Sequence, residues 1–122
     1  MPVAITMFRI NYQSIFFAAR PVDFRKSING LSGEVKNTLG ADPQSGSLFV
    51  FTNKRRDALK LLFWEDDGFW LLYKRLEAGT FELPLVGSGT PSVSISYGQL
   101  QWILAGVELG SISLRKRYKK AS

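Results

Sequence analysis

Residues 47–77, SLFVFTNKRRDALKLLFWEDDGFWLLYKRLE, constrain the fold more than any other part of this chain. Three apolar segments alternate with two polar turns at strand-like spacing. Strands are expected over 47–52, 57–64 and 69–75, joined by Asn53-Lys54-Arg55-Arg56 and by Glu65-Asp66-Asp67-Gly68. None of the three contains proline, which favours central pairing. Turns this short join antiparallel neighbours, because a parallel pair needs a long crossover. The expectation is therefore a three-stranded meander.

Period-two alternation sorts its faces. With Thr52 opposite Asp57 and Trp64 opposite Phe69, one face carries Leu48, Val50, Leu59, Leu61, Phe63, Trp70 and Leu72. That face is almost purely apolar and is expected to bury against a helix. The other carries Phe49, Phe51, Lys60, Leu62, Trp64, Phe69, Leu71, Tyr73 and Arg75, with Lys60 placed between Phe49 and Tyr73. A slip of one residue would exchange the two sets.

Around the meander, residues 14–20 (SIFFAAR) read as a strand stopped by Pro21. Asp23 sits where a helix N-cap belongs, and Ile28, Leu31, Val35 and Leu39 recur at helical spacing, so a long helix is expected over 25–39 with Gly40 as its C-cap. Gly30 and Gly33 weaken it, each by up to ~1 kcal/mol relative to alanine. Residues 42–46 (DPQSG) form a turn by their chemistry. Residues 79–83 suggest a short strand, 86–91 a loop rich in Gly, Ser and Pro, and 92–96 another strand. A second helix is expected over 97–107, with Leu100, Ile103, Leu104 and Val107 on one stripe and Trp102 off it. The fold class is thus α+β: a mostly antiparallel sheet with a meander, one long helix on one face and a second helix near the C-terminus. Residues 1–112 form a single domain and 113–122 a basic tail.

Composition narrows the chemistry. At 122 residues and 45% hydrophobic content, the chain has the makings of one small core. It has no apolar run long enough for a membrane span and no recognisable signal peptide. Cysteine is absent, as suits a reducing cytoplasm, the expected location. Histidine is absent too, so neither a Ser-His-Asp triad nor a His/Cys zinc site can be built. Ser-Lys and carboxylate chemistry remain formally open. The three adjacent acids Glu65, Asp66 and Asp67 cannot all converge on one ion, and they read as a hydrated turn. No catalytic residue, metal or cofactor is expected.

The net charge of +6 is unevenly placed. Arg115, Lys116, Arg117, Lys119 and Lys120 supply most of the excess from the tail. Such a tail either contacts phosphates or simply solubilises the terminus. Within the domain, Arg55, Arg56, Lys74 and Arg75 stand at turns and strand ends, with Lys60 mid-strand and Tyr73 beside it. Aromatic faces stack on bases while cations hold phosphates, so the mixture suits a nucleic-acid surface. An ordinary antiparallel sheet with a charged rim has the same composition. Arg25 and Lys26 fall in the expected first helical turn, where the macrodipole disfavours cations. A bound phosphate would resolve that conflict, as would an ion pair with an acid such as Glu77.

Several of these motifs also carry a resemblance. They are the run 23–31 (DFRKSINGL), Asp42-Pro43, Ser45-Gly46, Phe49-Val50-Phe51, Arg55-Arg56-Asp57, Lys60-Leu61-Leu62 and Trp64. Asp67-Gly68-Phe69, the run 73–77 (YKRLE), Gly79-Thr80-Phe81 and the run 96–100 (SYGQL) continue it in order. Over about residues 12–110 the chain resembles the accessory proteins encoded by the second reading frame of insertion-sequence-66 transposons. The resemblance implies a protein that accompanies a separate transposase and supports transposition of a mobile element. Two functions are open on that basis. One is a non-catalytic accessory factor in DNA recombination, binding element-end DNA, its transposase, or both. The other is a protein-interaction subunit without DNA contact, whose aromatic face would meet the transposase.

Overall fold

The computed structural model describes residues 14–106. In chain order they form β1 (Ile15–Ala18), α1 (Ile28–Asn37), β2 (Leu48–Thr52), β3 (Ala58–Glu65), β4 (Gly68–Arg75), β5 (Ser92–Ile95) and α2 (Tyr97–Ala105). The five strands make one sheet in the order β4-β3-β2-β1-β5. β2, β3 and β4 are the expected antiparallel meander, and β5 is antiparallel to β1. β1 and β2 run parallel, since the crossover through α1 returns the chain in the same direction. The fold is α+β.

Trp64 opposes Phe69 as expected, and the hairpin closes on Asp66 and Asp67 between Glu65 and Gly68. The β2–β3 register differs from expectation: Thr52 opposes Leu59, not Asp57. Asn53 explains the longer turn. Its side-chain oxygen accepts from the backbone N–H groups of Asp57 (3.1 Å) and Ala58 (3.2 Å), so the chain wraps around it before pairing resumes. The slip is two residues, which leaves the side-chain faces unchanged. It also puts Phe51, not Phe49, opposite Lys60.

The helices overturn one expectation. α1 does not cover the purely apolar face. Its Leu31 and Val35 pack against Ala18, Phe49, Phe51 and Leu62 on the face that carries Lys60. The opposite face, with Leu48, Val50, Leu59, Leu61 and Phe63, is closed by Leu100 and Ile103 of α2 and by Leu76 and Phe81 of the linker. Phe49 and Phe51 are fully buried, so these aromatics are core. Both faces are apolar enough to bury, and alternation along a strand does not say which helix takes which face.

α1 is also shorter than expected. It starts after Ser27, which makes no side-chain cap. Asp23 instead organises the turn before it, accepting from the N–H of Arg25 at 2.9 Å. Arg25 and Lys26 therefore precede the helix, and the conflict with its dipole disappears. The C-cap is Thr38, with Gly40 beyond it at φ +64°. α2 begins on a capping box between Ser96 and Gln99 and ends on left-handed Gly106. Residues 79–83 form no strand; Phe81 is buried there and its N–H donates to the carbonyl of Arg56 at 2.7 Å. No helix among the described residues is long and apolar enough to cross a membrane.

Candidate nucleic-acid interface

Lys60 is the centre of the mixed face, and the fold uses it internally. The residue is only 7% exposed. Its ammonium donates to the carbonyls of Phe24 (2.8 Å) and Lys26 (2.7 Å), and lies 4.9 Å and 5.4 Å from the rings of Phe24 and Tyr73. Burial pushes its pKa below the usual lysine value, and the Asp23 carboxylate partly opposes that shift. A mid-strand charge would be costly here without partners; two carbonyls and two ring faces supply them. Lys60 thus pins the segment before α1 onto the sheet and is not presented to a ligand. Tyr73 keeps an exposed side, but its ring meets Phe24 edge-on at 5.8 Å.

The two cations of that segment are paired. The Arg25 guanidinium donates to both carboxylate oxygens of Asp23, down to 2.6 Å, in an exposed bridge. This holds the Asp23 carboxyl at about 2, through the Arg25 side-chain hydrogen bonds first. Lys26 reaches Glu34 at 2.7 Å, and the Thr38 hydroxyl donates to the same carboxylate at 2.8 Å. Both bonds lower the Glu34 pKa, that from Lys26 more. Gly30 is needed for this arrangement: a Cβ there would stand 3.0 Å from Lys26 Cβ, so the lysine stem runs over a bare stretch of helix. Neither cation bridges to Glu77, which instead lies 3.6 Å from Arg75.

The remaining cations gather at one end of the sheet. Arg75 pairs with Ala58 and Lys74 with Leu59, so the end of β4 lies beside the β2–β3 turn that carries Lys54, Arg55 and Arg56. All five of these cations are exposed. Lys54, Arg55, Arg56 and Lys74 form no ion pair within the described residues. The turn beneath them is tied down by backbone hydrogen bonds. Arg56 sits at φ +61°, its N–H donates to the Asn53 carbonyl, and its own carbonyl takes the Phe81 N–H. Lys54 stands in the same basic run, and the turn geometry adds it to the cluster.

Residues 13–113 match the family model described as IS66 Orf2 like protein. The chain belongs to the IS66 Orf2-like family. It is 39% identical over 94 residues to the uncharacterized protein y4jC of Sinorhizobium fredii (strain NBRC 101917 / NGR234), covering 77% of this chain and 79% of that one. A second protein of that strain, the uncharacterized y4hO, is 31% identical over 94 residues, 77% of this chain and 80% of the other. No solved structure matches. The family places the chain among the transposition accessory proteins of insertion-sequence-66 elements.

Within this IS66 Orf2-like chain, Asp23, Arg25, Lys26 and Lys60 of the resembling motifs are engaged with one another's segment or with α1. Arg55, Arg56 and Lys74 are the cations of these motifs that face solvent without an ion pair among the described residues. The five tail cations, Arg115, Lys116, Arg117, Lys119 and Lys120, lie outside the described residues. Among those residues no group of three or more Asp or Glu is placed to hold a metal ion, the acidic turn at 65–67 included. A cleft of about 490 Å³ opens between the end of β1, the last turn of α1 and the 86–91 loop. Arg20 and Glu34 line it, and none of the candidate cations does.

Proposed function

We propose that this chain serves transposition as a non-catalytic DNA-binding factor that contacts phosphates through the basic end of its sheet. One observation carries the reading: four exposed cations, Lys54, Arg55, Arg56 and Lys74, converge there without acidic partners. Arginine and lysine carry the charge and the hydrogen-bond donors that phosphates accept. Arg75 adds a cation held loosely by Glu77, and the basic tail adds up to five more. Arg25 and Lys26 contribute only by exchanging Asp23 and Glu34 for phosphate. Lys60 holds the segment before α1 and does not touch the ligand, and Tyr73 packs against Phe24 in that same segment. Element-end DNA is the expected ligand and the element's transposase the expected protein partner, acting in the cytoplasm.

A gel-shift titration with element-end DNA, with and without transposase, tests the reading across a salt series. Binding that falls steeply with salt supports it. Binding of transposase alone, insensitive to salt, supports instead a protein-interaction subunit. That second reading draws on Trp102, which stands half-exposed on α2 as a large apolar contact.

A further inference from the structure

The sheet has two edges of unequal character. β5 is four residues long and follows Pro91, a short edge of the kind that resists further pairing. β4 is eight residues long, contains no proline, and pairs one-for-one with β3 without a bulge. Among the described residues, no strand pairs with its outer side. The Leu76 N–H donates to the Asp57 carbonyl, so even-numbered residues of β4 direct their backbone groups at β3. Phe69, Leu71, Tyr73 and Arg75 therefore direct theirs outward, and they make no turn or loop hydrogen bond among the described residues.

The charge along this edge is self-complementary. It runs from acids at Glu65, Asp66 and Asp67, through an apolar middle, to Lys74 and Arg75. An antiparallel copy of the same strand would lay its acids beside these cations. We propose that β4 is a homodimer interface, at which two copies of this chain join edge to edge about a two-fold axis to form a continuous ten-stranded sheet. The outward groups allow pairing only between odd-numbered residues. Centring the axis on Leu71 sets Phe69 opposite Tyr73 of the second copy and Asp67 beside its Arg75. Glu65 is less suited to that role because its carboxylate accepts from the Trp70 indole at 2.9 Å. The contact is isologous, so each favourable pair occurs twice. It also covers Tyr73, which is 55% exposed in the single chain.

The test is a charge exchange on the full chain, read by sedimentation over a concentration series, with far-ultraviolet circular dichroism confirming the fold of each variant. Asp67 and Arg75 are both exposed, so their substitution spares the core. The wild-type chain is expected to sediment as a dimer of its 13.7 kDa mass. Asp67→Arg and Arg75→Glu are each expected to weaken dimerisation on the order of tenfold, since two attractions become two repulsions. Combining them should restore the wild-type dimer. A wild-type monomer at every concentration would overturn the proposal, and would leave the edge to another segment or another protein. A dimer indifferent to both single changes would overturn it as well, by placing the contact elsewhere.

Discussion

Lys60 shows how one side chain can change its meaning between sequence and structure. A lysine among aromatics resembles a phosphate contact, yet here it ties two backbone carbonyls to the sheet. Lys60→Ala removes both bonds and should cost roughly 1–3 kcal/mol, because a charged donor to two part-buried carbonyls is lost. Urea unfolding measures this; a neutral result would mean that the segment before α1 is held by other contacts. The Lys26–Glu34 pair gives a pH signature. Because the folded Glu34 pKa is depressed, the unfolded chain binds more protons through the acidic range. The contribution is therefore complete above the ordinary glutamate value and lost as pH falls through the folded one. Lys26→Met should flatten that part of the stability–pH curve, and an unchanged curve would show that the bridge contributes nothing in solution.

At the scale of elements, the β2–β3 turn joins stability to the basic surface. Asn53→Ala removes the oxygen that accepts two backbone N–H groups and should destabilise by about 1–2 kcal/mol. Arg56→Gly separates the two roles. Glycine accepts the φ of +61° without a Cβ penalty, so stability should hold or rise by up to ~1 kcal/mol while DNA affinity falls. Unchanged DNA affinity would remove Arg56 from the interface. The strands themselves were legible: alternation located the meander, and Trp64 opposite Phe69 followed from a short turn. The length of the other turn was not, because it depends on Asn53 folding back on the backbone. The start of α1 was misplaced for a similar reason. Asp23 is a turn-former as much as a helix cap, and only tertiary contact through Lys60 decides between them.

At the scale of the described molecule, α1 and α2 divide the two faces of the sheet. Leu61 is buried on the α2 face, and Leu61→Ala should cost on the order of 2–5 kcal/mol. The loss of hydrogen-exchange protection should be larger around α2 and the linker than around α1, as amides at Leu100 and Leu31 would distinguish. The sequence held no means of choosing between the faces, since neither strand pairing of β1 nor its direction is written in local periodicity. The candidate site was half legible for the same reason. Arg55, Arg56 and Lys74 stand exposed and, among the described residues, unpaired at one end of the sheet, while Arg25, Lys26 and Lys60 look identical in sequence but already have partners, Arg25 in an exposed bridge to Asp23.

Salt dependence tests the assignment of the basic sheet end most directly. The slope of log affinity against log salt for element-end DNA should be compared between the wild-type chain and a triple variant, Arg55→Gln, Arg56→Gln and Lys74→Gln. If each residue meets one phosphate, the slope should shrink by about 2–3, at roughly 0.9 per contact. A triple variant that binds with the wild-type slope and affinity would contradict the assignment and return these cations to the status of a solvated rim.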